Sequence, residues 1–358
     1  MKIGIALQAG IFAIITTLCF ASCGGTLDEP FIVDSPESLL KVGTGRNGWG
    51  LNKHYRQTAD IDMTGHEWTP IGEYEIIRTP VGKYDDIRFA KFDEKIINKP
   101  FKGSFDGNGC TITGLTIESY DDYQGMFGYI GTGGVVKNVA LIGGSVSGSR
   151  YVGGLAGSNG GTVQSCYSTG DVTGTHMFAG GLVGYNSRSG KVRNCYTTGN
   201  IGKCRSVGGV VGDNKGVVRN CYVTGIISGT ADNPVGGVVG ELDEGGRADG
   251  CVGLNSSITR IGGYSDHSTH QFGRVVGWDW RGYHENNYGR RGMRLPVPIY
   301  EPVKSDADGI HGADITGAQW NKAGWWEKTA GFPSEAWDFR NGLPTLKGVG
   351  GSQNPVVR

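Results

Sequence analysis

The sequence predicts an all-β fold, a right-handed parallel β-helix (β-solenoid) with small capping elements and a short helix-containing C-terminal segment. Three observations predict it. A Gly-Gly pair recurs with its first glycine at Gly153, Gly180, Gly208 and Gly236, a spacing of 27 or 28 residues. Between the pairs lie short runs rich in Val, Ile and Tyr, bounded by glycine or by Asn/Asp-Gly turns, too short for helices and of strand composition. Glycine supplies 65 of the 358 residues, against an average usage of about 7%, and without the three-residue period of collagen. A unit of this size cannot bury its apolar face alone. Copies must therefore stack, with equivalent residues one strand spacing, about 4.8 Å, apart and with right-handed crossovers.

Taken from the N-terminus, residues 1–23 read as an export signal and stand outside the fold. Lys2 precedes an apolar stretch from Ile3 to Phe20, followed by Ala21-Ser22-Cys23-Gly24. This ending resembles the bacterial lipobox, with Phe20 where that motif carries a small aliphatic residue. The resemblance implies a lipid on the Cys23 thiol, cleavage before it, and a protein exported to the outer membrane or cell surface, with the membrane as partner through its N-terminal lipid. The competing reading is an uncleaved spanning helix, since the run is close to the roughly 20 residues a bilayer requires.

Residues 24–124 are expected to form an N-terminal cap and the first coils. Ser35-Pro36-Glu37 offers an N-cap residue, Pro at the first helical position and an acidic first turn, so a short helix closes the end. From Tyr55 to Ile117 short strands alternate with turns, interrupted by a charged insertion from Tyr74 to Lys99 that projects as a loop or hairpin.

Residues 125–277 carry the repeats. Val152 to Gly174, Ala179 to Gly202 and Val207 to Gly229 are successive copies, Val235 opens a looser fourth, Gly125 to Gly148 is a divergent earlier one, and Phe272 to Gly277 is a half-copy. The recurrent glycines are expected to take positive φ at the corners. Within V-x-N-C-Y-x-T-G, a straight strand sets Val, Asn and Tyr on one face and Cys on the other, beside Gln164, Arg193 and Arg219. A bend would instead bring the cysteine into the core, and the pattern leaves both directions open. Cys166, Cys195, Cys221 and Cys251 occupy one position of successive copies, which favours a packed ladder over a disulfide framework.

The cores Gly154-Leu155-Ala156-Gly157, Gly181-Leu182-Val183-Gly184, Gly209-Val210-Val211-Gly212 and Gly237-Val238-Val239-Gly240 resemble the GLUG motif. The resemblance covers roughly Gly125 to Gly277 and implies a β-helical module of secreted or surface-bound bacterial proteins, many from Bacteroidota, with no agreed chemistry. The motif also accompanies the protease domain of some IgA-cleaving peptidases. The H-E-x-x-H zinc motif of such chemistry does not occur in this sequence.

Residues 278–358 form an aromatic-rich C-terminal cap, with one helix expected around Ala318 to Thr329. Trp278, Trp280 and Tyr283 sit beside Arg281, Glu285 and Asn286. Aromatic faces with such hydrogen-bonding groups suit a sugar ring, which makes these three the ligand-binding candidates. Packing over the last coil is the plainer use of the same residues.

Charge excludes some partners. Lys and Arg together number 34, as do Asp and Glu, so nothing draws the chain to nucleic acid. No C-x-x-C pair or His at zinc-ligand spacing appears, and no metal or cofactor is expected. Glycoside hydrolysis needs two carboxyl groups at a set separation. Asp60, Asp62, Asp106, Asp121, Asp122, Asp243 and Glu244 are candidates, but the first three read as turn and strand-end residues. A Ca²⁺ site among Asp243, Glu244 and Asp249 is the weaker alternative to a solvated loop. The expected function is a non-catalytic surface or envelope lipoprotein that presents its solenoid for adhesion or for binding a glycan or a host or microbial surface protein. The alternatives are a β-helix carbohydrate-active enzyme, a polysaccharide lyase or glycoside hydrolase, and a structural envelope protein.

Overall fold

The computed structural model describes residues 24–81, 91–230, 233–262, 272–296, 303–340 and 342–357. The chain winds into a parallel β-solenoid whose successive coils feed four sheets. The first sheet stacks nine strands from Phe31–Val33 to Tyr283–Glu285. The second stacks nine from Ile61–Asp62 to Ala313–Ile315. The third includes the long strands Ser145–Gly153 and Asp171–Gly180 and ends at Ile258–Ile261 and Phe272–Gly273. The fourth stacks six, from Phe127–Ile130 to Val276–Asp279. Equivalent residues of successive copies pair in register, as Val183 with Val211 and Val211 with Val239.

The corner between the first and second sheets decides where the repeat cysteines point. Asn108, Asn138, Ser165, Asn194, Asn220 and Asn286 all adopt φ between 48° and 56° there. Asparagine tolerates this left-handed region better than most residues with a Cβ. The bend defeats strict alternation, so Val192 before it and Cys195 after it both point inward and are fully buried. Cys166, Cys221 and Cys251 are buried in the same way, and all four thiols are free. Cys195 and Cys221 donate to the carbonyls of Arg193 and Arg219 at 3.1 and 3.2 Å. Burial raises the Cys166 and Cys221 thiols and pushes Cys251 up to about 12, so these groups stay protonated.

The repeat glycines have a different role from the one expected. Gly208 and Gly212 do not take positive φ. They lie instead where the third and fourth sheets meet backbone against backbone: a Cβ on Gly212 would stand 2.7 Å from the Gly184 carbonyl oxygen and 2.9 Å from the Ala179 nitrogen. Glycine is needed here for close approach, and the apolar residues between the glycines, Val210 and Val211, fill the core. Beside this contact the fully buried Asn159, Asn186 and Asn214 form a ladder. Asn159 donates to Asn186 Oδ1 at 2.8 Å, and Asn186 donates to Asn214 Oδ1 at 2.7 Å.

At the N-terminal end, α1 (Pro36–Leu39) is capped by Ser35, whose Oγ accepts from the Ser38 amide at 3.3 Å, and buries Leu39 in the core. The charged insertion is a hairpin, with Glu73–Val81 antiparallel to Lys91–Lys99. At the other end, Val276–Asp279, Tyr283–Glu285 and Tyr288–Arg290 complete a last coil. The single helix expected near Ala318 is two, α2 (Gly317–Trp320) and α3 (Ala323–Lys328), because Lys322 between them is extended. The C-terminal segment then runs back along the outside of the second sheet. There Tyr167, Tyr196 and Tyr222 stack with centroids 4.8 and 4.9 Å apart beneath Trp326, Phe332 and Trp337, all fully buried. Their hydroxyls donate to Gly350 O, Gln353 Oε1 and Pro344 O.

Candidate functional site

The fourth sheet presents one outward residue per coil, the position after the second glycine of each motif. Tyr129, Ser158, Tyr185, Asp213, Glu241 and Trp278 are successive register partners in this row. At one strand spacing per step the row extends about 24 Å.

A second row runs beside it at the end of the third sheet, where Tyr123, Tyr151 and Phe178 take positive φ. Tyr123 stacks on Tyr151 at 4.7 Å, Tyr151 on Phe178 at 5.5 Å, and Tyr151 meets Tyr185 edge-on at 5.6 Å. Tyr74 of the hairpin adds edge contacts to Tyr123 at 5.1 Å and Tyr129 at 5.7 Å. These rings are half-buried, which leaves aromatic surface and hydroxyls available to a ligand. Desolvation raises the Tyr123, Tyr151 and Tyr185 phenols, so they remain neutral hydrogen-bonding groups.

Carboxylates continue the row. Asp213 is only 4% exposed, and its Oδ1 has no hydrogen-bond partner. Desolvation, then the neighbouring Glu241 charge, pushes its carboxyl up to about 7. Glu241 is raised by burial and by Asp243. Asp243 pairs with Lys215 at 2.7 Å, and the same ammonium lies 5.9 Å from the Tyr185 ring centre. The arrangement can stack a ring, donate and accept hydrogen bonds, and hold two carboxyl groups of adjacent coils with raised proton affinity.

The residues expected from sequence fall on two faces. Trp278 stands at the end of the fourth-sheet row, beside Glu241. Trp280, 57% exposed, lies in the turn after that strand, and Tyr283, 61% exposed, belongs to the outer face of the first sheet. There the Arg247 guanidinium sits 5.8 Å from its ring centre. Cys23 lies outside the described residues. Among those residues no helix is long and apolar enough to cross a membrane.

The expected carboxylates are mostly committed to structure. Asp60 accepts from the Thr111 amide at 2.7 Å, Asp62 from Thr64 at 2.9 Å and Asp106 from Asn108 at 3.0 Å. Asp122 accepts from the Arg150 amide at 3.1 Å, and Asp121 bonds Ser119 at 2.9 Å. Asp249 is held by Arg219 and Arg247 on the first sheet, away from the Lys215–Asp243 pair. No group of three metal-ligating side chains is found among the described residues. Asp213 and Glu241 belong to no compact linear cluster; the signal that finds them is the column whose chemical class changes from copy to copy, Ser158, Tyr185, Asp213 and Glu241, beside columns that stay glycine or small and apolar.

Residues 148–173 and 179–202 match the GLUG motif. Over 164 residues the chain is 35% identical to Halomucin of Haloquadratum walsbyi, an overlap that covers 45% of this chain and 2% of that protein. Over 156 residues it is 31% identical to a candidate Gly-rich membrane protein of Evansella cellulosilytica, covering 41% of this chain and 15% of that one. The chain therefore spans only a small part of these relatives. A crystal structure of a candidate immunoglobulin A1 protease from Bacteroides ovatus matches with a TM-score of 0.63 and 22% identity, over 91% of this chain and 94% of that one. At that identity the likeness is one of fold. The chain is thus a repeat-rich β-solenoid protein that carries the GLUG motif.

Proposed function

We propose that the chain is a non-catalytic surface lipoprotein, anchored through Cys23, whose solenoid binds glycan along the outer face of the fourth sheet. The aromatic rows carry this reading. Tyr123, Tyr151 and Phe178 stack beside Tyr129 and Tyr185, and stacked half-buried rings with hydroxyls suit the apolar faces and polar edges of sugars. Rows set on a regular sheet are rigid, so little order is lost on binding. The lipobox-like leader and the relative described as a membrane protein support a surface location.

The adjacent carboxyl groups of Asp213 and Glu241 favour a second reading, a carbohydrate-active enzyme, because raised proton affinity is what a general acid requires. Glycan arrays probed with the mature protein, with reducing-sugar release followed in parallel, separate the two. The first reading expects binding without release and a loss of about five- to thirtyfold in affinity for Tyr151→Ala, the equivalent of one stacking contact of about 1–2 kcal/mol. Release of reducing ends overturns it in favour of the enzyme. A folded Tyr151→Ala protein that binds unchanged removes the face from consideration.

A further inference from the structure

We propose that the carboxylate part of this face is a subsite for a sugar residue bearing a protonated amine, a glucosamine-type unit whose ammonium is received by Asp213 and Glu241. The inference rests on the glycan-binding reading and adds the class of sugar. Its basis is an imbalance of charge in a partly desolvated place. Asp213, Glu241 and Asp243 share the neighbourhood with the Lys215 ammonium, which is bonded to Asp243, and with Arg188, whose charge also acts on Asp243 and not on Asp213 or Glu241. Asp213 Oδ1, within a side chain that is almost wholly buried, has no donor. An unpartnered buried acceptor is costly, and on this outward row the ligand is the group that can supply the missing donor.

The chemistry of the missing donor follows from what surrounds it. A neutral hydroxyl would satisfy Oδ1 but do nothing to offset the Glu241 charge that, after desolvation, holds a proton on Asp213. A uronic or sulfated sugar would add to that repulsion. A primary ammonium brings three donors and one positive charge, and the face of Tyr185 beside it is attractive to a cation. The sugar ring itself has the aromatic surface of Tyr151 and Phe178 to rest on.

Proton linkage supplies an independent signature. The groups facing Asp213 are Glu241, Asp243 and Lys215, with Tyr151 and Tyr185 alongside. Asp213 is pushed up to about 7 by desolvation and then by the Glu241 charge, and Glu241 is raised in the same direction by burial and by Asp243. A bound cation favours their ionised forms, so binding near pH 6 must release protons to the buffer.

The test is calorimetry of the mature chain with a chitosan oligosaccharide, the chitin oligosaccharide of the same length, in which each amine is acetylated, and a cello-oligosaccharide, in buffers of different ionisation enthalpy. Near pH 6 the free amine is expected to bind at least about tenfold more tightly than its acetylated counterpart, with net proton release. Glu241→Gln and Asp213→Asn, each checked for folding by thermal melting, should shrink that preference to about twofold or less and reduce the protons released. Equal affinity for the amine and the acetamide, or a preference that persists in both folded variants, overturns the amine subsite while glycan binding stands. Binding to none of the three sugars overturns the subsite, and the glycan-binding reading itself falls only if the arrays are also blank.

Discussion

Each coil depends on two residue types that substitution scales treat as neighbours, and the structure gives them different work. Asn220 holds φ at 53°, and among the described residues its side chain makes no hydrogen bond, so its contribution is conformational. Asn220→Ala is expected to cost about 1–2 kcal/mol, the left-handed penalty, whereas Asn220→Gly should fall within about 0.5 kcal/mol of the parent. Gly208 is the reverse case. A Cβ there would overlap the Val211 carbonyl oxygen and approach the Gly240 nitrogen at 2.5 Å. Both are backbone atoms that cannot rotate away, so Gly208→Ala should cost about 3 kcal/mol, the upper end of overpacking. Urea melts of the three variants check the order; an alanine at 208 tolerated as well as a glycine at 220 would contradict it. The sequence suggested glycine at the corners because glycine takes positive φ most freely. The asparagine of N-C-Y was equally visible, but only the observed bend shows that Val192 and Cys195 share the interior.

At the scale of elements, the part least legible in sequence is the covering of the second sheet. The capping helix at Ser35 and the hairpin after Glu73 follow from local signals: an N-cap, a proline and a charged insertion. The seat of the C-terminal segment depends on contacts such as Tyr222 to Pro344, more than a hundred residues apart, which no local periodicity reports. A hint existed in the tyrosine column Tyr167, Tyr196, Tyr222. Three stacked rings on an outer face would form an exposed patch unless covered. Trp326 is central to that cover, within 5.5 Å of Tyr222 and 4.9 Å of Phe332 between ring centres, with its indole donating to the Trp320 carbonyl at 2.7 Å. Trp326→Ala should therefore destabilise by about 3–5 kcal/mol and increase binding of an apolar dye. Trp280→Ala, at a 57% exposed position, should stay within about 0.5 kcal/mol. Similar losses from both, measured by chemical denaturation, would mean the segment does not seal the ladder.

The whole molecule assembles its candidate site from residues scattered over half the chain. Linear reading favours compact clusters, which is why Trp278, Trp280 and Tyr283 stand out while Tyr129, Tyr185, Asp213 and Glu241 do not. Only stacking turns one variable position per coil into a surface. That assembly has a cost that pH can reveal. Asp213 titrates at about 7 in the folded protein against the ordinary 3.8, chiefly because it is desolvated. The folded state thus holds a proton that the unfolded state gives up, and stability must fall as pH rises from about 4 to about 7. The slope from this one group is at most about 1.4 kcal/mol per pH unit. Glu241, raised in the same direction, adds to it. Asp338 shifts the other way, held near 2 by Arg340, and its loss of charge belongs below this window. Asp213→Asn removes the main titration and should flatten the profile, leaving the variant more stable than the parent at pH 8 and closer to it at pH 5. Urea midpoints measured at both pH values decide the matter, and a parent protein whose stability rises over the interval would show that Asp213 meets solvent or a donor in the folded state.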